Sequence, residues 1–382
     1  MSVSINHPDH IYNIQDLATS HRMLMGPGPS DVHPSVLMAM ATPMIGHLDP
    51  EFIKIMDEIK EMAKQTFLTQ NELTFIVSAP GSAGMETVLV NLLEPGDEAI
   101  ICVHGAFGMR MADIAERCGA IVTRVEAPWG EPINPQDVKN AIGSSKPKLV
   151  SIVHAETSTG VKQPLQEISN IAHNVGALFV VDAVTSLAGT ELRVDDWGID
   201  AIYSGTQKCM SAPPGLSPIS FSEQAVDVLN NRKRKVQSWF LDLSLVKNYW
   251  AGAKRAYHHT APVSAMFAIR EAYRLVLDEG LENRWLRHTR NHELLKNGLE
   301  AMGIEFLVAE EFRLPMLNAV KIPEGVDDAF VRSTLLNEYN IEIGAGLGQF
   351  AGKVWRIGLM GESSTPTHVE RLLSSLTEII NK

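Results

Sequence analysis

Leu178-Phe-Val-Val-Asp182 and, closing about 26 residues after that aspartate, Ala201-Ile-Tyr-Ser-Gly-Thr-Gln-Lys208 decide the fold of this chain. Each begins as a short apolar run of the length a buried strand needs, and each ends abruptly on polar residues. A third stretch, Leu149-Val-Ser-Ile-Val153 running into His154-Ala-Glu-Thr-Ser-Thr-Gly160, has the same form. In open α/β sheets ligands collect in the crevice beyond the carboxyl ends of the strands. Asp182 and Lys208 therefore stand where chemistry is expected.

Outward from these stretches, apolar runs at 99–103, 121–125, 149–153, 178–181 and 201–204 alternate with amphipathic segments such as 109–118 and 165–174. Gly119 ends the first of those segments and Gly176 soon follows the second, as helix stop signals do. The pattern predicts an α/β protein whose large domain holds a mostly parallel sheet of the seven-stranded type. From about Ser264 the texture becomes helix-rich, then two strand-like runs follow at 318–322 and 354–359. The expected division is an N-terminal arm at 1–21, a large domain at 22–280 and a smaller C-terminal α/β domain at 281–382.

Composition narrows the classes of function. A formal net charge of −12 disfavours a nucleic-acid partner, which needs concentrated basic charge. The one dense basic run, Arg232-Lys-Arg-Lys235, reads as a solvated face. No apolar run approaches the roughly 18–20 residues that span a bilayer. Cys102, Cys118 and Cys209 form no CxxC pair, which suits a reducing compartment. With no secretory pattern in the first twenty residues and no peroxisomal address in Ile380-Asn-Lys382, the expected location is cytoplasmic.

An aspartate and a lysine at the ends of two buried strands suit a pyridoxal cofactor. A lysine amine condenses with an aldehyde when desolvation and nearby positive charge make its proton easy to lose. A carboxylate facing the pyridine nitrogen keeps the ring protonated and electron-withdrawing. Either residue alone could be a helix cap or a surface lysine; their spacing and context point to the site. The phosphate of such a cofactor needs backbone N–H groups at a helix start, and Ser78-Ala-Pro-Gly-Ser-Ala-Gly84 offers small residues before the amphipathic segment 85–93. Neither GxxxxGK[ST] nor GxGxxG accompanies it.

Other residues carry plainer readings. The adjacent histidines of Tyr257-His-His-Thr260 diverge in either regular structure and make a poor metal pair. His47 and His154 read as hydrogen-bonded structural residues, Trp355 as packing, and Leu37-Met-Ala-Met40 as core.

Taken with Leu24-Met-Gly-Pro-Gly-Pro-Ser30, Ile45-Gly-His47, Leu93-Glu-Pro-Gly-Asp97, Ala212-Pro-Pro-Gly215 and Gly352-Lys-Val-Trp-Arg-Ile-Gly358, these residues give the chain a nearly full-length resemblance to a known group. It resembles the class V aminotransferases of the fold-type I pyridoxal-phosphate enzymes, and within them the alanine-glyoxylate and serine-glyoxylate aminotransferases. The resemblance implies pyridoxal 5'-phosphate as cofactor, and transfer of an amino group from alanine or serine to glyoxylate. Lys208 would condense with the cofactor and shuttle the proton, and Asp182 would pair with the ring nitrogen. Val184 and Phe107 would pack on the two ring faces, with Thr157 near the ring hydroxyl. Gly81, Ser82 and Gln207 would hold the phosphate, joined by Tyr257 and Thr260 from the partner subunit, which implies a homodimer. Arg356 would clamp the substrate carboxylate, and the backbone about Gly28 would close over the substrate.

Two departures stand out. Pro80-Gly-Ser82 occupies a place where relatives often have Ser-Gly-His, and Phe107 one where tryptophan is common. Three alternatives remain open: a ureidoglycine-glyoxylate aminotransferase, a lyase such as a cysteine desulfurase, and a non-catalytic subunit. A desulfurase needs a mobile cysteine well past the lysine, and none follows Cys209.

Overall fold

The computed structural model describes residues 18–250 and 255–381, so the expected arm at 1–21 lies outside the described residues except for its last four. Seven strands form the principal sheet: β1 (Leu73–Val77), β2 (Glu98–Val103), β3 (Ile121–Glu126), β4 (Leu149–Val153), β5 (Leu178–Asp182), β6 (Ala201–Tyr203) and β7 (Ser217–Phe221). Their order across the sheet is β1-β7-β6-β5-β4-β2-β3, with β7 antiparallel to both its neighbours and the other adjacent pairs parallel. The expected seven-stranded, mostly parallel sheet is thus observed. Every residue of β4, β5, β6 and β7 is buried, as helices on both faces require, which is why these strands read as continuous apolar runs. Each fully buried valine, leucine or isoleucine here contributes roughly 1.5–3 kcal/mol.

Strand order reverses between β2 and β4. A crevice opens at such a switch point, and the Ala106–Arg117 helix leaves β2 there while the Ala155–Glu156 and Val161–Lys162 hairpin leaves β4. On the other side, the Gly81–Leu92 helix follows β1.

A second hydrophobic cluster runs from Leu295 to Ile379 and includes Trp355 and Ile357. It covers a three-stranded sheet in which Val354–Gly358 lies between Leu317–Lys321 and Gly344–Ala345. Met23 and Met25 belong to this cluster too, because the Met23–Leu24 strand pairs in parallel with Ile341–Glu342. The long helices Val263–Glu279 and Leu281–Ala301 meet at Gly280, whose φ of 82° favours glycine. Buried Arg284 then ties the second helix to the principal domain, donating to Glu279 and, at 2.8 Å, to the Cys209 carbonyl.

The expectation of a core stripe at 37–40 fails, and His47 Nε2 and His154 Nδ1, expected to be hydrogen-bonded, are buried without a partner among the described residues. Leu37 and Met38 are 51% and 70% exposed, because the seven-residue Pro34–Met40 helix buries only Val36. A run of leucine and methionine marks an apolar face without saying what covers it. Among the described residues, no helix is long and apolar enough to cross a membrane.

Candidate active site

The carboxyl ends of β4, β5 and β6 come abreast, with Val153 beside Asp182 and Asp182 beside Tyr203 in the parallel ladder. Beyond them lies a cavity of about 260 Å³ lined by Gly81, Ser82, Phe107, Thr157, Asp182, Val184, Gln207 and Lys208, together with Met85, Arg110, Val153, Ala155 and Thr185. The first eight are residues singled out in the sequence. Arg356 joins from the small sheet: its Nε donates to the Ala345 carbonyl at 2.7 Å and its Nη1 to the Thr157 carbonyl at 3.2 Å. Gly28 joins through Lys208. Its φ is 105°, the Lys208 Nζ donates to the Pro27 carbonyl, and a Cβ at Gly28 would lie 2.5 Å from that nitrogen. Tyr257 and Thr260 stay outside the cavity and are exposed, Tyr257 against the His47 ring at 5.5 Å.

Burial sets the ionisation of the central pair. It pushes the Asp182 carboxyl up to about 6, against hydrogen bonds from the Val184 N–H and the Tyr203 hydroxyl, both 2.8 Å, which favour the charged form. It pulls the Lys208 ammonium down to about 8, and the nearby Arg356 charge works in the same direction while Asp182 opposes it. A pKa of about 8 leaves roughly a tenth of the amine neutral at pH 7, whereas an ordinary lysine leaves well under a thousandth. At pH 7 the site therefore holds a ready nucleophile and a buried carboxylate. Tyr203 itself is driven well above its ordinary range, first by burial and then by Asp182.

Two helix starts border the cavity and are treated differently. At Ala106–Arg117, Glu156 accepts from the N–H groups of Phe107 (3.1 Å) and Gly108 (3.4 Å), and Ser158 Oγ accepts from Ala106 (2.9 Å). That helix start is satisfied from within. At Gly81–Leu92 the capping residue is Pro80, no side chain caps it, and the Gly81 and Ser82 N–H groups find no acceptor among the described residues. Gln207 Oε1 is likewise buried without a partner, and turning that amide over would present its NH₂ to an anion.

The family profile described as Aminotransferase class-V matches residues 35–359. The chain is a class V aminotransferase. This aminotransferase is 40% identical to the (S)-ureidoglycine–glyoxylate transaminase of Bacillus subtilis, over 96% of this chain and 92% of that protein. It is 41% identical to the alanine–glyoxylate aminotransferase of Rattus norvegicus, over 95% of this chain and 89% of that one. Among solved structures, the alanine–glyoxylate aminotransferase of Nostoc sp. superposes with a TM-score of 0.96 at 45% identity, covering 98% of this chain and all of that one. The fold-type I expectation holds.

Pyridoxal phosphate is the cofactor of this aminotransferase. Its residues fit the group. Asp182 offers a carboxylate and Lys208 an amine to one cavity, while the free N–H groups of Gly81 and Ser82 and the unpartnered Gln207 amide offer an anion site. Cys209, adjacent to the lysine, is buried and its thiol is pushed up to about 12, so it makes no nucleophile. His154 is buried and pulled down to about 3 by burial and then by Lys162, leaving it neutral, and Trp355 is buried with its Nε1 donating to Asp328 at 2.9 Å.

Sequence reasoning missed Arg110, Tyr203 and Glu156. Arg110 was within reach, since it stands three residues after Phe107 on one helix face. Tyr203 and Glu156 act through strand adjacency, for which a single sequence carries no signal.

Proposed function

We propose that this aminotransferase moves an amino group from a small amino acid to glyoxylate in two half-reactions. The supporting observation is that Asp182 and Lys208 line one cavity with displaced ionisation, while the Arg356 guanidinium stands close enough to lower the lysine further. When bound, pyridoxal phosphate supplies the aldehyde that takes up the amino group and a ring that spreads charge from the substrate carbon. Lys208 takes the proton from the donor Cα and returns one in the second half-reaction. Asp182, charged above about pH 6, holds the ring nitrogen, with Val184 and Phe107 against the ring and Thr157 beside it. Arg356 holds the carboxylate common to donor and acceptor, its planar fork fixing orientation. Gly28 lends backbone where a side chain would strike Lys208.

The active unit is a homodimer in this reading, with Tyr257 and Thr260 completing the partner's phosphate site. Large exposed apolar side chains support it: Leu37, Met38, Met44, Trp239 and Tyr257 are each 51% or more exposed. Three free buried cysteines fit a reducing, cytoplasmic location. Alanine, serine and ureidoglycine are the donors to compare, since the relatives' names divide between alanine and ureidoglycine. Purified protein incubated with each donor and glyoxylate should release glycine with at least one of them. Glycine from none would overturn the reading, and a monomer in sedimentation would remove its dimeric part.

A further inference from the structure

We infer that Arg110 is a phosphate ligand of the cofactor in this chain. This rests on the pyridoxal-phosphate reading of the cavity and deepens it. Arg110 rises from the second turn of the Ala106–Arg117 helix, lines the cavity, and covers the Phe107 ring with its guanidinium 4.9 Å from the ring centroid. Its Nη1 donates to Ser82 Oγ at 3.1 Å, which brings the cation to the open start of the Gly81–Leu92 helix.

That arrangement is electrostatically incomplete. A helix start carries about half a positive charge in its unsatisfied N–H groups. A guanidinium beside it repels, and among the described residues no carboxylate lies within 4.0 Å of Arg110. The neighbouring helix start has the Glu156 carboxyl as its acceptor; this one has Pro80, which brings neither a side-chain acceptor nor an N–H. A phosphate monoester between Arg110, Ser82 and the Gly81 and Ser82 N–H groups would replace that repulsion with an attraction to each partner. Arg356, which forms no ion pair among the described residues, is committed instead to the Thr157 and Ala345 carbonyls from its place in the small sheet. The two cations thus divide the anions: phosphate to Arg110, substrate carboxylate to Arg356.

The test uses full-length protein stripped of cofactor and titrated with pyridoxal phosphate and with pyridoxal, which lacks the phosphate. Arg110→Gln should weaken pyridoxal phosphate binding by about 10- to 100-fold, the worth of a charge-assisted hydrogen bond. Its affinity for pyridoxal should stay at the wild-type value. Arg110→Lys, which keeps the charge without the fork, should lose less than about tenfold. Unchanged pyridoxal phosphate affinity in Arg110→Gln overturns the assignment. So does an equal loss for both ligands, or a raised KM for the amino donor with cofactor affinity intact. Wild-type protein that takes up no pyridoxal phosphate, with no borohydride label on Lys208, would instead bring down the reading beneath it.

Discussion

The Tyr203 hydroxyl donates a 2.8 Å hydrogen bond to Asp182 Oδ2, and the two residues are register neighbours on adjacent parallel strands. The bond favours the carboxylate over the acid in a place where burial does the reverse. Removing it with Tyr203→Phe should raise the Asp182 pKa further above about 6 by one unit or so, since bonds to charged groups are worth about 1.5–3 kcal/mol. A higher pKa means less carboxylate at a given pH. The acid limb of pyridoxal phosphate affinity should therefore move upward, with the loss greatest on the acid side, and an unmoved limb would show that Tyr203 does not tune Asp182.

Lys208→Ala removes the amine that lines the cavity against Pro27 and Gly28. Turnover should fall by about a thousandfold or more, the range a positioned acid–base group supplies. Circular dichroism should be unchanged, as the side chain lines the cavity. Wild-type turnover in this variant would refute its role.

Burial lowers Lys208 to about 8, so its neutral form grows as pH rises through that value. In cofactor-free protein, the rate of lysine labelling by an aldehyde should climb with a midpoint near 8. A midpoint at the ordinary 10.5 would refute the burial argument. The same depressed pKa contributes stability that is complete above 10.5 and is lost as pH falls through about 8.

Gly28→Ala asks an alanine to hold a φ of 105° and sets its Cβ 2.5 Å from Lys208 Nζ. The lysine must move or the loop must shift, at a cost of about 1–3 kcal/mol. A lower Tm should accompany reduced borohydride incorporation at Lys208. Full incorporation at an unchanged Tm would mean that the close approach has no consequence.

Arg356→Ala should raise the KM for the amino donor about 10- to 100-fold, the loss of a bidentate charged contact. Steady-state kinetics across donor concentrations measure this. Cofactor affinity should change little, because Arg356 is held by Ala345 and Thr157 and not by the phosphate side. An unchanged KM would leave that guanidinium a structural strut.

The local chain determined a good deal by itself. Apolar runs of strand length ending in Asp182 and Lys208, small residues at Gly81 and Ser82, and glycine stops gave the α/β class and most of the cavity wall, because burial periodicity and turn chemistry act over a few residues. Tertiary structure alone decided the rest. β7 is paired on both sides although it contains Pro218, whose missing N–H ordinarily confines proline to sheet edges, so its position could not be read from the residues. Glu156 reaches the Phe107 N–H across 49 residues and Lys208 reaches Pro27 across 181. Those meetings depend on the order β1-β7-β6-β5-β4-β2-β3, and an alternation of strands and helices is compatible with many orders. Arg110 shows the boundary well: its helix face was legible, but the open helix start it confronts belongs to a segment 28 residues away that only packing brings beside it.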